Sequence, residues 1–190
     1  MNTPVSPSVK FTYDDLVGFP DDGRRHEIID GEHYVTPSPN TKHQTVVTNV
    51  LASVYGYLKD HSIGRVFTAP FDVVFSNFDI VEPDVLYISR ARLEVLTTQH
   101  VRGAPDLVVE ILSPGTRRTD EITKRRLYER FGVQEYWVLD PELDSVKVYR
   151  RGEAAFERVA ELNAEGEDVL TTPLLPGWSM PVAEIFASPM

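Results

Sequence analysis

Apolar residues in the first third of the chain recur with two different periods. Between Thr41 and Lys59 they are spaced three and four positions apart, which predicts an amphipathic helix. Ahead of that helix, residues 26–29 and 33–35 are strand-like runs on either side of Asp30-Gly31, a dipeptide typical of a tight β-hairpin turn. The pattern therefore predicts a hairpin followed by a long helix.

The remaining elements follow from shorter apolar runs and the residues that interrupt them. Thr12 is suited to cap a short helix that ends near Gly18, and Gly132 is suited to stop a helix that begins at Thr119. The runs at 84–89 and 106–112 are too apolar to be exposed on either face. The other predicted elements are strands at 65–75 (interrupted by Pro70), 135–140, 145–151 and 156–162, a loop to Pro176 and a short helix after Pro181.

Strands that alternate with two long helices predict a mixed α/β (α+β) fold, in which the helices cover a largely sequential central sheet. Further hairpins are expected near both ends of the chain. The chain of 190 residues contains no internal repeat, low-complexity tract or linker. We therefore expect one domain over residues 1–190, with residues 1–10 flexible.

Composition removes several classes of protein. The chain has no cysteine, which excludes disulfide frameworks, thiolate nucleophiles and thiolate zinc sites. Its first ten residues are polar and lack the apolar segment of a secretory signal. No apolar run approaches the roughly 20 residues needed to span a bilayer. We expect a cytoplasmic protein that does not enter a membrane.

The formal net charge of −10 argues against broad electrostatic attraction of nucleic acid. One segment departs from this acidic balance, because residues 116–130 contain six basic and three acidic side chains. A local basic patch on an acidic protein is able to contact a phosphate backbone. A solvated helix face explains the same charges equally well.

Two acidic residues stand at the ends of the two most apolar runs. Asp84 opens one predicted strand and Glu110 nearly ends another. If these strands pair antiparallel, the start of one lies beside the end of the other and the two carboxylates converge. Carboxylates held together repel unless a cation lies between them, and oxygen ligands of this kind suit Mg²⁺ or Mn²⁺. Such an ion would polarise a phosphate and lower the pKa of a water molecule.

Lys124 is the third member of this predicted site. It lies about one and a half turns into the helix that follows the strand of Glu110, where its ammonium group is able to point back over the strand end. A structural alternative is open for each of the three residues. Asp84 would cap a turn, Glu110 would form a buried ion pair with Lys124, and Lys124 would pair with Asp120 along the helix.

In their order and spacing, these residues resemble the Uma-two family of restriction-endonuclease-like proteins, within the PD-(D/E)xK nuclease superfamily. The resemblance runs from about Glu27 to the tail. The segments that carry it are Asp30-Gly31-Glu32, Pro37-Ser38-Pro39, His43, Glu82-Pro83-Asp84-Val85, the run from Pro105 to Pro114, Asp120 through Lys124 with Tyr128, and the run from Gly132 to Pro141.

The resemblance implies a restriction-endonuclease-like core with Asp84 and Glu110 as metal ligands and Lys124 as the catalytic lysine. It further implies that Glu32 supplies an acid that supports a ligand or a second cation. The sequence departs from the superfamily at one position. The common motif has lysine two residues after the acid, where this chain has Leu112, so Lys124 is a lysine moved to the following helix.

Four residues are weaker candidates. His43, at a helix start, and Asp106, at a strand start, are possible accessory groups, although a capping histidine and a structural acid are the commoner roles. Arg117 and Arg118 are possible phosphate-binding residues, although an arginine-rich surface turn is an ordinary feature.

The sequence thus favours a Mg²⁺- or Mn²⁺-dependent endonuclease that hydrolyses DNA phosphodiester bonds with two carboxylates and a lysine. The resemblance to nucleases that cut two strands with two sites adds the expectation of a homodimer. The acidic surface and Leu112 leave a second hypothesis open, a catalytically silent binding or assembly module of the same fold. Hydrolysis of RNA or of a small phosphodiester is a further alternative.

Overall fold

Residues 9–188, which the computed structural model describes, form thirteen strands and four α-helices. The expectation of a flexible start concerns mainly residues 1–8, which lie outside the described residues. The helices are α1 (Tyr13–Val17), α2 (Thr41–Asp60), α3 (Arg125–Phe131) and α4 (Val182–Phe186). The strands are β1 (Arg25–Ile29), β2 (Glu32–Thr36), β3 (Gly64–Thr68), β4 (Val73–Ser76), β5 (Asp79–Val81), β6 (Val85–Ser89), β7 (Val101–Arg102), β8 (Leu107–Ile111), β9 (Glu135–Asp140), β10 (Ser145–Arg151), β11 (Phe156–Asn163), β12 (Val169–Thr171) and β13 (Ser179–Pro181).

The larger sheet has the strand order β11-β10-β9-β8-β6-β3. Strand β8 pairs antiparallel with β6 and parallel with β9, and the other neighbouring strands of this sheet are antiparallel. The parallel step needs a crossover, which α3 supplies between β8 and β9. The predicted mixed α/β fold is thereby confirmed.

A second sheet has the order β2-β1-β5-β4-β7 and carries the predicted N-terminal hairpin. Residues 65–75, predicted as one strand, form β3 and β4 in different sheets. The chain changes sheet at Pro70, which lacks the N–H that a ladder needs. The larger sheet follows the order of the chain, as expected, but the strands divide between two main sheets. The short strands β5 and β7 were not predicted, and the predicted loop before Pro176 contains β12, which pairs with β13.

The larger sheet separates two apolar cores. On one face, Val46, Val50 and Val54 of α2 pack in the core that contains Trp137. The other face holds the core that includes Leu127 and Tyr128 of α3, together with the even-numbered residues Leu86, Val108 and Val138. All five residues of β8 are buried, as its apolar sequence predicts. A charged side chain on β8 therefore points into the interior.

The helix predicted from Thr119 is an α-helix only in its second half. Residues Thr119–Lys124 form a wider π-helical turn that leads into α3. Gly132 ends α3 in the left-handed conformation, with φ of 88°, as predicted for a stop residue. The two predicted helix ends around α1 are also confirmed, since Thr12 caps it and Gly18 follows it. Within the described residues, no helix has both the length and the apolar character needed to cross a membrane.

Candidate active site

The antiparallel pairing of β6 and β8 brings Asp84 and Glu110 together. Val85 lies opposite Val109, so the same register continued by one residue sets Asp84 across from Glu110. Glu110 points to the face that α3 covers, where it contacts Tyr128, and Asp84 Oδ2 accepts a hydrogen bond of 2.8 Å from the backbone N–H of Ile111. The predicted convergence of the two strand ends is confirmed.

Asp84 is buried and fully engaged by hydrogen-bond donors. Its Oδ1 atom lies 2.6 Å from Arg25 Nη1, and its Oδ2 atom lies 3.1 Å from His43 Nε2. Burial alone would raise the pKa of Asp84, but the His43 hydrogen bond and the Arg25 charge outweigh that effect and lower the pKa. Asp84 is therefore an anion at neutral pH.

Glu110 lies in a less polar setting than Asp84. Lys124 Nζ donates to Glu110 Oε1 at 3.1 Å and Tyr128 Oη donates to the same oxygen at 2.5 Å. Within residues 9–188, no donor contacts Oε2. Burial raises the pKa of Glu110 to about 8, although the Lys124 charge acts in the opposite direction. The carboxyl group of Glu110 consequently has one oxygen available to a further positive ligand.

Lys124 is enclosed by three carboxylates. Its Nζ atom lies 2.7 Å from Glu27 Oε1, 3.1 Å from Glu110 Oε1 and 3.7 Å from Asp120 Oδ1. Burial would lower the pKa of Lys124, but the three acidic neighbours raise it well above the ordinary lysine value. Asp120 is the predicted helical partner, and burial raises its pKa to about 6. Lys124 is thus a permanently charged group at the base of the site.

Glu27, which was not among the predicted site residues, is the acid that the N-terminal hairpin contributes to the site, and it contacts Lys124. Glu27 is buried on β1 and also accepts a hydrogen bond of 2.8 Å from the Glu82 N–H. Glu32 is exposed at the turn end of the hairpin and accepts a hydrogen bond from Tyr34. The placement expected for Glu32 is therefore wrong, because Glu32 pairs with Ile29 and lies two residues along β1 from Glu27. An acid inside the apolar run 26–29 was the available signal.

His43 reaches the site from the first turn of α2, where Asn40 caps the helix. Its Nε2 atom contacts Asp84, and its buried Nδ1 atom has no hydrogen-bond partner among the described residues. Because a carboxylate only accepts, the contact with Asp84 sets the proton on Nε2 and leaves Nδ1 as an acceptor when the ring is neutral. The structure brings this predicted accessory residue to the site.

The other three candidates lie elsewhere. Asp106 is at the opposite end of β8, where it accepts from the Ser89 N–H at 2.7 Å, so its role there is structural. Arg117 does not face the site, because it forms hydrogen bonds with both carboxylate oxygens of Asp140. Arg118 is exposed and does not line the site. The possible accessory role of Asp106 and the possible phosphate-binding role of Arg117 are not supported by their positions, since each is held by a different local partner.

A cavity of about 200 Å³ connects these groups to solvent. Its walls are the loop before α2 and the turn after β8. Its charged lining consists of Arg25, His43, Asp84, Glu110, Asp120 and Lys124. Glu27 supports Lys124 from behind this lining.

The donor set of the cavity fits a hard divalent cation. Four carboxylates (Glu27, Asp84, Glu110 and Asp120) surround two cationic side chains, and the pKa values of Glu110 and Asp120 are raised. In residues 9–188, no group of three or more acidic or histidine side chains is arranged to hold a metal. Mg²⁺ commonly takes only one or two carboxylates and completes its shell with water and phosphate oxygens. Oε2 of Glu110 is free for such an ion, and Asp84 would become its second ligand once Oδ1 is released by Arg25.

Comparison with known proteins gives one family and one fold. The model of the Uma2 family, described as "Putative restriction endonuclease", matches residues 12–183. The structure is similar to the crystal structure of "a putative nuclease belonging to DUF820" from Anabaena variabilis ATCC 29413, with a TM-score of 0.77 over 93% of this chain and 97% of that chain. The two chains are 22% identical, so this likeness concerns the fold. No protein with a curated description matches the chain.

Proposed function

The chain belongs to the Uma2 family of putative restriction endonucleases, and on that premise we propose that it is a Mg²⁺-dependent nuclease that hydrolyses phosphodiester bonds in DNA. Family and fold indicate a restriction-endonuclease-like nuclease. The metal, the DNA substrate and the roles of individual residues are the parts that we add.

One observation carries the proposal. Asp84, Glu110 and Lys124 come from separate parts of the chain and line one solvent-connected cavity. Burying several ionised groups together costs stability unless each is paired. Here the charged groups lie at the wall of a cavity rather than in a closed core. Acids with shifted pKa values in a cleft are typical of functional sites.

In this proposal Asp84 and Glu110 hold the ion. When bound, Mg²⁺ supplies positive charge that stabilises the phosphate and acidifies a water molecule. Lys124 adds a fixed positive charge beside the phosphate, where charge accumulates during hydrolysis. Glu27 positions Lys124, and His43 holds Asp84 in orientation through Nε2.

The direct test is cleavage of supercoiled plasmid DNA in Mg²⁺ or Mn²⁺. We expect Asp84→Asn and Glu110→Gln to reduce the rate by at least about 100-fold, as expected when a group that stabilises the transition state is lost. Asp106→Asn is the matched control, because it neutralises another buried acid next to the same strand, β8. Cleavage by both site variants at the wild-type rate would contradict the proposal.

A specific observation favours a second candidate function, a catalytically silent binding or assembly module. Both Asp84 oxygens already accept from protein donors, and the Lys124 ammonium group already has three carboxylate partners, so the site is partly satisfied without an ion. Titration calorimetry with Mn²⁺ separates the two functions. Absence of binding at millimolar Mn²⁺ favours the silent module.

Cleavage of both DNA strands would require two copies of the site. We therefore include a homodimer in the proposal, and we also propose the cytoplasmic location expected from the sequence. Sedimentation velocity, with and without a DNA duplex, tests the oligomeric state, and a monomer under both conditions would contradict the dimer.

A further inference from the structure

Arg25 occupies the one oxygen of Asp84 that an ion would need. Asp84 Oδ2 is held by two donors, His43 Nε2 and the N–H of Ile111, and the backbone donor is fixed by the sheet. Asp84 Oδ1 contacts Arg25 Nη1 at 2.6 Å and has no other donor within residues 9–188. Release of Arg25 is therefore the change that would free Asp84 with the least disturbance of the fold.

The two cationic side chains of the cavity are held very differently. Lys124 is surrounded by three carboxylates, whereas the ion pair of Arg25 is with Asp84 alone. Arg25 Nη1 also donates to the Glu82 carbonyl at 3.3 Å, while Nη2 and Nε contact no acceptor within the described part of the chain. The Arg25 side chain is 19% exposed and lines the cavity. Arg25 is consequently the cation of the site with fewer acidic partners, and it already has donors free for a ligand.

We propose that Arg25 takes the place of the divalent ion on Asp84 in the metal-free protein and binds the substrate phosphate once the ion arrives. The inference rests on the proposed metal-dependent function. A buried carboxylate is destabilised by loss of a cationic partner, so departure of Arg25 from Oδ1 is coupled to arrival of another cation. A planar guanidinium with several free donors is suited to the phosphate that follows.

If Arg25 exchanges in this way, removing its charge should change the affinities for Mn²⁺ and for DNA in opposite directions. Removal of the Arg25 charge removes a competitor for Asp84, so Mn²⁺ alone should bind more tightly. It also removes a phosphate-binding group, so DNA should bind more weakly. A purely structural role, in which Arg25 only holds Asp84 in place, would weaken both interactions.

The test compares Arg25→Gln with Arg24→Gln, which removes the same charge from a neighbouring residue that is 62% exposed and lies 3.8 Å from Asp22. By calorimetry without DNA, we expect Arg25→Gln to bind Mn²⁺ about tenfold more tightly than wild type, as loss of one competing unit charge implies. With Ca²⁺ in place of Mg²⁺ to prevent cleavage, a short fluorescein-labelled DNA duplex should bind about tenfold more weakly. Arg24→Gln should match wild type in the Mn²⁺ titration.

Arg25→Lys keeps the buried charge and is the second variant to measure. It replaces Arg25→Gln if melting curves show that Arg25→Gln does not fold. We expect Arg25→Lys to bind Mn²⁺ like wild type and DNA more weakly, because an ammonium group does not reproduce the guanidinium fork. If wild type binds Mn²⁺ but Arg25→Gln binds it equally or less tightly, the inference alone is overturned. If wild type binds no Mn²⁺, the inference and the metal-dependent function are both overturned.

Discussion

Lys124 Nζ lies 2.7 Å from Glu27 Oε1, an ion pair that joins the turn before α3 to the first strand of the N-terminal hairpin. Both side chains are nearly inaccessible to solvent. The contact connects the two sheets at the base of the cavity and orients the ammonium group toward Glu110. Glu27 is therefore a positioning residue of the candidate site.

Glu27→Gln should lower nuclease activity by about 10- to 100-fold, the usual cost of losing a group that orients a site residue. Glutamine still accepts the hydrogen bond from the Glu82 N–H, so the fold should persist. Glu32→Gln, at an exposed position of the same hairpin, should cleave plasmid DNA like wild type. The prediction is wrong if both variants lose activity equally.

Lys124→Met should lower the free energy of unfolding by about 3–5 kcal/mol at pH 7, because it removes the cation that lies between the buried acids Glu27, Glu110 and Asp120. Lys147→Met is the control, since Lys147 pairs with Glu121 in a part-exposed position and should contribute only about 0–1 kcal/mol. Urea denaturation measures both values. A similar loss in the two variants would show that Lys124 is not the centre of the charge cluster.

The metal-free protein should lose stability as the pH rises from 6 to 8. Burial raises the pKa of Glu110 from the ordinary 4.5 to about 8, so between these values the folded protein keeps a proton that the unfolded chain has released. The expected decrease is on the order of 1–3 kcal/mol, measured by urea denaturation in EDTA. Glu82, with a pKa raised by burial to about 7, contributes in the same direction.

Glu110→Gln should reduce that pH dependence without abolishing it, because Glu82 still titrates. Addition of Mn²⁺ to wild type at pH 8 should restore stability if the ion binds the ionised carboxylate. An unchanged slope in Glu110→Gln would show that the pH dependence comes from other groups.

Arg117→Gln should lower the free energy of unfolding by about 1–3 kcal/mol, since Asp140 is buried and loses its two hydrogen bonds from the guanidinium group. Arg118→Gln should leave stability unchanged, because Arg118 is exposed. If Arg118 contacts phosphate, its loss should reduce the salt dependence of DNA binding by about one released ion. Chemical denaturation and a salt titration of DNA binding distinguish the two neighbours.

Much of the fold and part of the site could be predicted from local patterns. The helix around Val50, the hairpin at Asp30-Gly31 and the stop at Gly132 each depend on a few neighbouring residues, so their signals are present in the sequence. Placement of Asp84 beside Glu110 needed only one assumption, the antiparallel pairing of two apolar strands. Their roles in catalysis remain predictions.

Other features depend on contacts between distant segments. The sequence shows an interruption at Pro70. It does not show that the strands on either side, β3 and β4, belong to different sheets. Glu27 rather than Glu32 contacts Lys124 because the π-helical turn packs beside the middle of β1 and not beside the turn of the hairpin. The sequence could not show that Arg117 pairs with Asp140, which lies 23 residues further along the chain, rather than with a phosphate.

The sequence by itself determined most of the longer helices and strands, and it marked the buried acids Asp84 and Glu110, because periodicity and the cost of burying charge are local properties. Only the tertiary structure decided which cation pairs with which carboxylate. Arg25 on Asp84 and Lys124 between Glu27, Glu110 and Asp120 are arrangements set by long-range packing. Several pairings would satisfy the same charges, and the sheet geometry selects one of them.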